Sequence, residues 1–455
     1  MALKVLLVNP SIQNRWFEKV GGVFMIHPHP ALVQLERFTP KRIGKQEIVV
    51  EQWDEDIRGP LDLEALPDAS LAAITYLTAS TPRAYAIADA FRSKGVPVIL
   101  GGPHASFLLN EAAAHGSVFI GEAEPLWWEE VLPDSAAGRL KERYTNWTPE
   151  LRAVPFRDIP HYIEVLGFRV LIVQTGRGCP HSCEFCAVSA FNGRHPRHWP
   201  VERILAHVEK FLTPGGFIIF IDDNIVIDPR YAEELFRGLI RLRNQGKRVR
   251  WVTQTDIRIM LNDRLRDLAV RSGLIGAFFG IEDPNADILK AEASSWKAGK
   301  SDQYEEVFHL CRENFVASLA AMIIGWDADT MDSIQAKIEW SLRMGADVFQ
   351  WTLLFACVGT PLWRRMKEEG RLLEVSYDRY DGHHAVHSHP TLSVQQREDA
   401  VRRAYEITCS PWNTWTRLIR NSFRKPAKGR IWPVRSFPIN AGVYVMNRNG
   451  RRLWR

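Results

Sequence analysis

Short apolar segments alternate with amphipathic segments along most of the chain. In the first third, β-rich segments lie at 4–8, 47–51, 71–77, 96–100 and 117–121. Helical segments separate the last three, and the one at 81–95 has Pro82 near its start and Gly95 at its end. Because buried apolar strands that alternate with helices are typical of parallel sheets, we predict a doubly wound α/β domain over residues 1–150.

From residue 168 onward the alternation becomes more regular. We predict six apolar strands, at 169–175, 217–221, 249–255, 277–281, 318–324 and 348–355. A helical segment follows each of the first five, at 201–212, 230–244, 263–272, 302–313 and 331–343. Since a complete barrel of this kind needs eight repeats, the pattern predicts an open, partial (β/α)6 barrel over 168–365, with its chemistry at the carboxyl ends of the strands.

The composition is that of an ordinary globular protein. Of 455 residues, 46% are hydrophobic and 24% are charged, which excludes a disordered chain. No apolar segment is long enough to cross a bilayer, and MALKVLLVNP at the start is typical of a first β-strand, not a signal peptide. The six cysteines lack the spacing of a disulfide framework, so we expect a cytoplasmic protein. We predict a linker at 151–167 and a mostly helical region at 366–455.

Charge changes this picture only at the C-terminal end. From Pro411 to Arg455 there is no Asp or Glu, and the segment 410–437 combines basic with aromatic side chains. Such a pattern suits a membrane surface, where basic residues meet anionic headgroups and indoles lie at the interface. It also suits RNA, through phosphate contacts and base stacking, or a plain basic segment packed across the barrel. Position in the sequence does not separate the three interpretations.

Three of the six cysteines stand together in RGCPHSCEFCAVS (177–189), directly after the first predicted barrel strand. Cys179, Cys183 and Cys186 are one ligand short of a closed structural metal site. A zinc site with His181 as the fourth ligand would be crowded, and core cysteines are not expected among glycine, proline and polar residues. Thiolate ligation of an iron–sulfur cluster fits best, and it leaves one iron with an open coordination position.

The C-x3-C-x2-C spacing, with the aromatic Phe185 before the last cysteine, resembles the radical S-adenosylmethionine (SAM) superfamily. The resemblance implies that the three cysteines hold a [4Fe-4S] cluster and that SAM chelates its unique iron. It also implies that one electron, from a donor such as flavodoxin or ferredoxin, cleaves SAM to a 5′-deoxyadenosyl radical that abstracts hydrogen from an unactivated carbon. The protein places the cofactors and excludes water.

Polar residues at the later strand ends extend this resemblance, in the segments FIDDN (220–224), VTQTD (252–256), FFGIED (278–283) and AMIIGWDADT (321–330). The predicted SAM-binding residues are Phe185, Asp222, Asp223, Asn224, Gln254, Thr255, Glu282 and Gly325. By resemblance, the second strand end receives the methionine amino group, the third and fourth reach the ribose hydroxyls, and the fifth packs on adenine. A helix N-cap is the alternative role for Asn224.

In the first domain, VILGGPHASFLLNEAAAHGSVFIGEAEPLW (98–127) resembles the cobalamin-binding domain that precedes many radical SAM enzymes. The resemblance implies a Rossmann-like sheet whose Gly-Gly lets a flat corrin approach the backbone. The predicted cobalamin residues are Thr78, Ser80, Gly101, Gly102, His104, Gly121 and Glu122. The usual D-x-H-x-x-G histidine is missing, because NPSIQNR stands there. Either cobalt lacks a lower protein ligand, or the domain has lost cobalamin and only shapes the substrate cavity.

The two-domain arrangement resembles the branch that contains hopanoid C-methylases and related enzymes of lipid or pigment skeletons. We therefore expect cobalamin-dependent C-methylation of an unactivated carbon in a hydrophobic small molecule or lipid. One alternative is a radical cyclase, rearrangement or hydrogen-abstraction enzyme without methyl transfer. Another, of a different class, is a nucleic-acid-binding iron–sulfur protein. The four histidines of DGHHAVHSHP (381–390) are predicted to lie in a loop and not in a metal site.

Overall fold

Two parallel sheets form the framework of the molecule. The computed structural model describes residues 2–12, 29–154, 159–165, 168–293 and 295–422. Part of the predicted linker, and the basic tail that follows residue 422, lie outside these described residues. In what is described, no helix combines the length and the apolar character that crossing a membrane requires.

The first sheet has seven strands in the order β2-β3-β1-β4-β5-β6-β7. All neighbours pair in parallel except β2 and β3, which pair antiparallel. Its strands are β1 (Leu3–Asn9), β2 (Arg42–Ile43), β3 (Gln46–Asp54), β4 (Leu71–Thr75), β5 (Val98–Gly101), β6 (Ser117–Gly121) and β7 (Arg143–Asn146). The strand order reverses at β1, which has β3 on one side and β4 on the other, so this sheet has the switch point at which doubly wound folds bind ligands.

Six α-helices accompany the first sheet among the described residues: α1 (Pro30–Phe38), α2 (Glu55–Arg58), α3 (Thr81–Ser93), α4 (Pro103–Phe107), α5 (Leu109–Ala112) and α6 (Leu132–Ala136). A π-helical turn, Trp127–Val131, and two 3-10 turns, Thr78–Ser80 and Leu151–Ala153, complete this part. The five predicted strands are confirmed as β1, β3, β4, β5 and β6, and the predicted helix at 81–95 is α3. The short strands β2 and β7 were not predicted, because their sequences show no clear alternation of apolar and polar residues.

The second sheet has the order β8-β9-β12-β13-β14-β15-β16. Its strands are β8 (Tyr162–Val165), β9 (Phe168–Val173), β12 (Phe217–Phe220), β13 (Trp251–Thr255), β14 (Leu274–Glu282), β15 (Ala317–Ile324) and β16 (Val348–Leu353). The last six strands are parallel, and β8 pairs antiparallel with β9. The predicted open (β/α)6 barrel is therefore confirmed. The segment predicted as a linker also supplies β8, because Ile163 is an apolar side chain that buries on this sheet.

The helices around the barrel are α7 (Ala187–Phe191), α8 (Val201–Phe211), α9 (Pro229–Asn244), α10 (Arg258–Leu261), α11 (Asp263–Ser272), α12 (Ala286–Ile288), α13 (Ser295–Ala298), α14 (Tyr304–Glu313), α15 (Met331–Met344), α16 (Pro361–Glu368), α17 (Val394–Thr408) and α18 (Pro411–Ser422). Short turns lie at Leu289–Ala293, Ser301–Gln303 and Tyr377–Arg379, and a hairpin pairs β10 (Gly176–Arg177) with β11 (Arg197–His198). Local signals set the helix ends: Asp228 caps α9, and Gly345 ends α15 in the left-handed conformation.

One continuous apolar core joins the two sheets. Leu3, Leu7 and Phe119 of the first sheet belong to the same buried cluster as Leu171 of β9. Phe38 of α1 stacks on Trp199, which precedes α8, with ring centroids 6.3 Å apart. This shared core holds the carboxyl ends of both sheets in a defined relation, which a flexible tether would not do.

Candidate functional site

The cysteine loop, residues 178–186, leaves the barrel directly after β10. Cys183 is buried, and its carbonyl accepts a hydrogen bond from the Cys186 amide at 3.1 Å. Burial raises the pKa of the Cys179 thiol and raises that of Cys186 to about 12, and the neighbouring Cys183 contributes to both shifts. The three thiols therefore lie close enough to influence one another. Binding to iron would release their protons, because metal ions bind the thiolate.

The donor set fits a cluster better than a single ion. Within the described ranges, no three His, Cys, Asp or Glu side chains are arranged to hold one metal ion. The His181 ring stacks on Trp296 with centroids 4.6 Å apart, and its Nε2 is buried without a hydrogen-bond partner. No group of three such side chains that includes His181 is found in the described part of the chain, so the structure adds no support for the zinc alternative. Three thiols would hold three corners of an iron–sulfur cube, with the fourth corner open.

A buried ion cluster ties the cysteine loop to the first sheet. Arg177, two residues before Cys179, binds Glu122 at 2.7 Å and Glu124 at 2.9 Å. Glu122 also accepts a hydrogen bond from Arg197 at 3.0 Å. Burial opposes the charge on Glu122, but the two arginines outweigh it and lower its pKa. We call these four side chains the Arg177 ion cluster; each is at most 10% exposed, so their pairing is protected from water.

A cavity of about 330 Å³ lies beside the Arg177 ion cluster, at the carboxyl ends of β4, β5 and β6. The first sheet and its flanking segments line it mainly with apolar side chains and glycine backbone. The barrel contributes Gln174, Arg177, Phe191 and Asn192. The barrel part of the cavity wall therefore consists of residues that precede and follow the cysteine loop, so a ligand bound here would lie near that loop.

Two glycines in the cavity wall are required by their surroundings. Gly102 has φ +97°, and a Cβ there would lie 2.7 Å from the Tyr76 carbonyl oxygen. Gly121 has φ +87°, and a Cβ would collide with the backbone of Asn146. Side chains are excluded at both positions, because the positive φ and the close approach of neighbouring backbone require glycine there.

The predicted cobalamin residues divide into two groups. Gly101, Gly102, Gly121 and Glu122 line the cavity, but Thr78, Ser80 and His104 are not part of its lining. The Nδ1 of His104 lies 3.2 Å from the Thr78 hydroxyl, and its ring packs against Tyr377 with centroids 4.8 Å apart. Ser80 donates to the Leu77 carbonyl. His104 follows Gly-Gly closely in sequence, yet α4 directs its side chain into a packed polar cluster.

At the second strand end of the barrel, the two aspartates differ. Asp222 accepts hydrogen bonds from the amide and the hydroxyl of Thr175, at 3.1 and 2.6 Å, and so ties β12 to β9. Burial raises its pKa to about 7. Burial also raises the pKa of Asp223, to about 6, and this carboxyl interacts electrostatically with Cys179 and Cys186. Asp223 is thus the carboxyl beside the thiols.

Asn224 belongs to a polar network that joins the second and third strand ends. Its side-chain amide donates to Asp256 at 2.7 Å, and Arg258 donates to the same carboxylate at 2.9 Å. The alternative role of Asn224 as a helix N-cap is wrong, because Asp228 caps α9. Of the neighbouring predicted SAM residues, Thr255 is buried and Gln254 is exposed.

Glu282, at the fourth strand end, has a partner that the sequence did not reveal. Its backbone has φ +65°, and its carboxylate pairs with Lys297 at 2.5 Å. Burial disfavours the charge on Lys297, but Glu282 outweighs it and raises the pKa of the lysine. Lys297 also interacts electrostatically with Cys183, so a cation lies near the thiols. No motif marks it, because it stands in the short helix α13.

A second ion cluster holds the cysteine loop from the side of the C-terminal region. The Leu362 amide donates to the Glu184 carbonyl at 3.0 Å, and Arg365 binds the Glu184 carboxylate at 2.9 Å. Asp327, after β15, accepts from both Arg365 and Arg371. We call these four side chains the Arg365 ion cluster. It is partly exposed, with Arg365 at 30% and Glu184 at 28%.

The fifth strand end meets this cluster. Gly325 has φ +100°, and its amide donates to Asp329 at 2.8 Å. Phe185 of the cysteine loop packs edge-on against the adjacent Trp326, with centroids 5.7 Å apart. The backbone and an aromatic ring therefore form a flat, apolar corner beside the cysteines.

Two histidines of the loop 381–390, His387 and His389, form hydrogen bonds with backbone groups. His389 accepts from the amides of Thr391 and Leu392 through Nδ1, so its Nε2, 2.7 Å from the Trp326 carbonyl, is the protonated nitrogen. His387 lies between the carbonyls of Leu354 and Ser388 at 3.0 Å from each. The loop thus fixes the turn that follows β15.

Comparisons with known proteins agree with this geometry. Residues 173–340 match the model of the Radical SAM superfamily. Over 326 residues, covering 69% of each chain, the sequence is 29% identical to bacteriochlorophyllide d C-12(1)-methyltransferase from Chlorobaculum tepidum. The C-8(2)-methyltransferase of the same organism is 24% identical over 417 residues, which cover 88% of each chain. The fold resembles the radical SAM methyltransferase TsrM from Kitasatospora setae, with TM-score 0.66, 14% identity and complete coverage of both chains.

Proposed function

We propose that this chain, whose residues 173–340 form a domain of the Radical SAM superfamily, is a cobalamin-dependent C-methyltransferase that acts on an unactivated carbon of a hydrophobic small molecule. One observation carries the proposal: Arg177 lines the cavity of the first sheet and stands two residues before the first cysteine of the loop. Methyl transfer between two cofactors and a substrate requires such neighbouring sites.

The chain's own residues have distinct tasks in this proposal. Cys179, Cys183 and Cys186 would hold a [4Fe-4S] cluster, and Asp223 would face the amino group of SAM. Lys297, which is paired with Glu282, would be the cation nearest to the SAM carboxylate. When bound, these cofactors supply hydrogen abstraction, and cobalamin supplies the methyl group. The corner formed by Phe185 and Trp326 excludes water from this end of the barrel.

The first-sheet cavity supports cobalamin as the third cofactor. Its wall is glycine backbone and apolar side chain, and its carboxylates are already paired with arginines. The flat face of a corrin ring suits this kind of wall, since unpaired charged side chains packed against it would have to be desolvated without a partner. Because His104 is held by Thr78 and Tyr377, we propose that cobalt is bound without a lower protein ligand.

For the substrate, we propose a tetrapyrrole pigment or a compound of similar size and apolarity. The support is that the relatives named above methylate side chains of bacteriochlorophyllide d. We also propose that the enzyme works in the cytoplasm, takes its electron from a flavodoxin or ferredoxin, and associates peripherally with a membrane where apolar substrates accumulate. None of the six cysteines, all of which lie in the described residues, forms a disulfide, as expected in a reducing compartment.

The test is anaerobic reconstitution of the full chain with iron, sulfide and cobalamin. With SAM and a reductant, we expect release of both 5′-deoxyadenosine and S-adenosylhomocysteine. Feeding cells deuterated methionine should place a trideuteromethyl group on one pigment, and this mass shift should vanish without the protein. If 5′-deoxyadenosine forms without S-adenosylhomocysteine, the alternative of a radical cyclase or rearrangement enzyme replaces methyl transfer. A protein that never cleaves SAM would contradict both.

A further inference from the structure

The last described helix, α18, exposes three large apolar side chains. Trp412 is 76% exposed, Trp415 is 59% exposed and Ile419 is 52% exposed. Their spacing of three and four residues puts them on one face of the helix. This face is not an accident of a loosely attached helix, because the opposite side is fixed to the barrel.

The fixed side of α18 is held by Arg417 and Thr414. Both are buried, at 4% and 6% exposure. The Arg417 guanidinium donates to the Thr408 carbonyl and lies 5.3 Å from the Phe349 ring centroid. Rotating the helix to hide the tryptophans would expose these contacts, so the apolar face has to point away from the barrel.

Other large apolar side chains that are exposed in the described part of the chain are scattered. They are Val49, Ile57, Leu77, Trp147 and Met331, and no two of them share a helix or strand. Single exposed apolar residues are normal on protein surfaces, whereas a cluster that includes two indoles marks an interaction surface. The face of α18 therefore requires a partner.

Charge identifies the chemistry of that partner. From Pro411 to Arg455 the sequence has eleven Arg and Lys residues and no Asp or Glu. Pairing this face with that of a second copy would bring two strongly basic segments together, which electrostatic repulsion opposes. An anionic bilayer surface attracts the basic residues and accepts indole and aliphatic side chains at the headgroup boundary. At 12 residues, α18 is far too short to span the hydrocarbon layer.

We propose that α18 docks the enzyme on an anionic membrane surface, with Trp412, Trp415 and Ile419 in the interface. The helix lies in the plane of the surface. This docking is independent of the methyl-transfer chemistry, and its test needs no turnover.

The experiment is co-sedimentation of the anaerobically reconstituted full chain with vesicles. Vesicles of phosphatidylcholine containing about one third phosphatidylglycerol should bind the protein, and vesicles of phosphatidylcholine alone should bind it weakly. Binding should fall as salt is raised, because headgroup attraction is screened. The triple variant W412S, W415S and I419S should lower the partition coefficient at least about tenfold.

The matched control is the triple variant V49S, I57S and M331S, which also removes three exposed apolar side chains. It should bind vesicles as the parent does, and both variants should keep the parent's circular dichroism and cluster absorbance. Unchanged vesicle binding by the α18 variant would overturn the proposal. So would a parent that binds no vesicles but forms a dimer, or binds an RNA oligonucleotide, through the same three residues. The yield of 5′-deoxyadenosine without vesicles reports separately on the proposed chemistry.

Discussion

At the carboxyl end of the first sheet, glycine backbone and apolar side chains line the cavity, and the carboxylates of Glu122 and Glu124 are paired with arginines. At the carboxyl end of the barrel, Asp223 interacts electrostatically with the thiols and Asp222 precedes it in the chain, and burial raises the pKa of Asp222 to about 7 and that of Asp223 to about 6. The partners of these carboxyl groups differ: Glu122 and Glu124 pair with buried arginines, whereas Asp222 accepts hydrogen bonds from Thr175.

The two ion clusters that hold the cysteine loop differ in their exposure to water. The Arg177 ion cluster is nearly inaccessible to water, whereas the Arg365 ion cluster is about 30% exposed at its arginine. A buried pair loses several kcal/mol when one partner is removed, because the other charge stays buried without compensation. An exposed pair contributes at most about 1 kcal/mol. The stability of the cysteine loop should therefore depend far more on the Arg177 ion cluster, which binds it to the first sheet, than on the Arg365 ion cluster.

The largest effect should come from removing a thiol at the barrel end. Replacing Cys186 with alanine should abolish SAM cleavage and lower bound iron, because two thiols cannot retain the cluster. Bound cobalamin should stay at the parent level, since the cavity is untouched. The matched control is Cys357→Ala, another free cysteine outside the loop, which should retain iron and activity. Loss of cobalamin together with iron would show that the two sites are not separate.

Breaking the Arg177 ion cluster should be nearly as severe. Arg177→Met leaves Glu124 buried without its arginine and Glu122 with only Arg197, and should cost about 3–5 kcal/mol of unfolding free energy. Denaturant titration of the reconstituted protein measures this loss. Arg177→Lys should recover only part of it, because an ammonium cannot reproduce the forked contacts with two carboxylates. A loss below about 1 kcal/mol would mean that the cluster relaxes to admit water.

The buried Asp222 should make stability depend on pH. Its pKa is raised from 3.8 to about 7 in the folded state, so the folded protein holds this proton more tightly than the unfolded chain. The contribution is fully present below about pH 4 and is lost as pH rises to about 7, by up to about 4 kcal/mol. The unfolding free energy should fall over this range, and Asp222→Asn should flatten the curve. If the unfolding free energies of the parent and of Asp222→Asn changed with pH in the same way, Asp222 would not be the group responsible for the pH dependence.

Displacing the cavity wall should test the separation of the two sites from the cobalamin side. Gly121→Ala adds a Cβ against the Asn146 backbone, and the shift of the cavity-lining backbone that relieves this clash should weaken cobalamin binding while iron content stays unchanged. We expect a stability loss of about 1–3 kcal/mol. Gly138→Ala is the matched control: Gly138 also has positive φ, but nothing lies within 4 Å of its Cβ position. Equal effects of the two substitutions would assign the loss to backbone strain alone.

The smallest effect should come from the exposed cluster. Arg365→Met should cost at most about 1 kcal/mol, and less in high salt, because solvent already screens the pair with Glu184. Equilibrium unfolding at low and high salt measures both quantities. If Arg365→Met lost as much unfolding free energy as Arg177→Met, the two ion clusters would contribute equally to the stability of the loop.

Much of the fold was predictable because it rests on local periodicity. The six parallel barrel strands follow their apolar segments within a few residues, and capping residues and glycines mark several helix ends. The cysteine motif and the pair Gly101 and Gly102 could be identified from the sequence for the same reason, since each is a short local pattern. The alternative role of Asn224 as an N-cap was wrong because Asp228, four residues later, caps the helix.

The sequence by itself determined the main strands of the two sheets, the cysteine motif and the Gly-Gly pair, since each is a pattern of neighbours along the chain. Only the tertiary structure decided which charges meet: Arg177 pairs with Glu122 from 55 residues away, and Glu184 pairs with Arg365 from 181 residues away. It also decided that His104 turns away from the cavity that Gly102 lines. Such pairings depend on the direction and distance of side chains after the sheets have packed, and spacing along the chain carries no record of either.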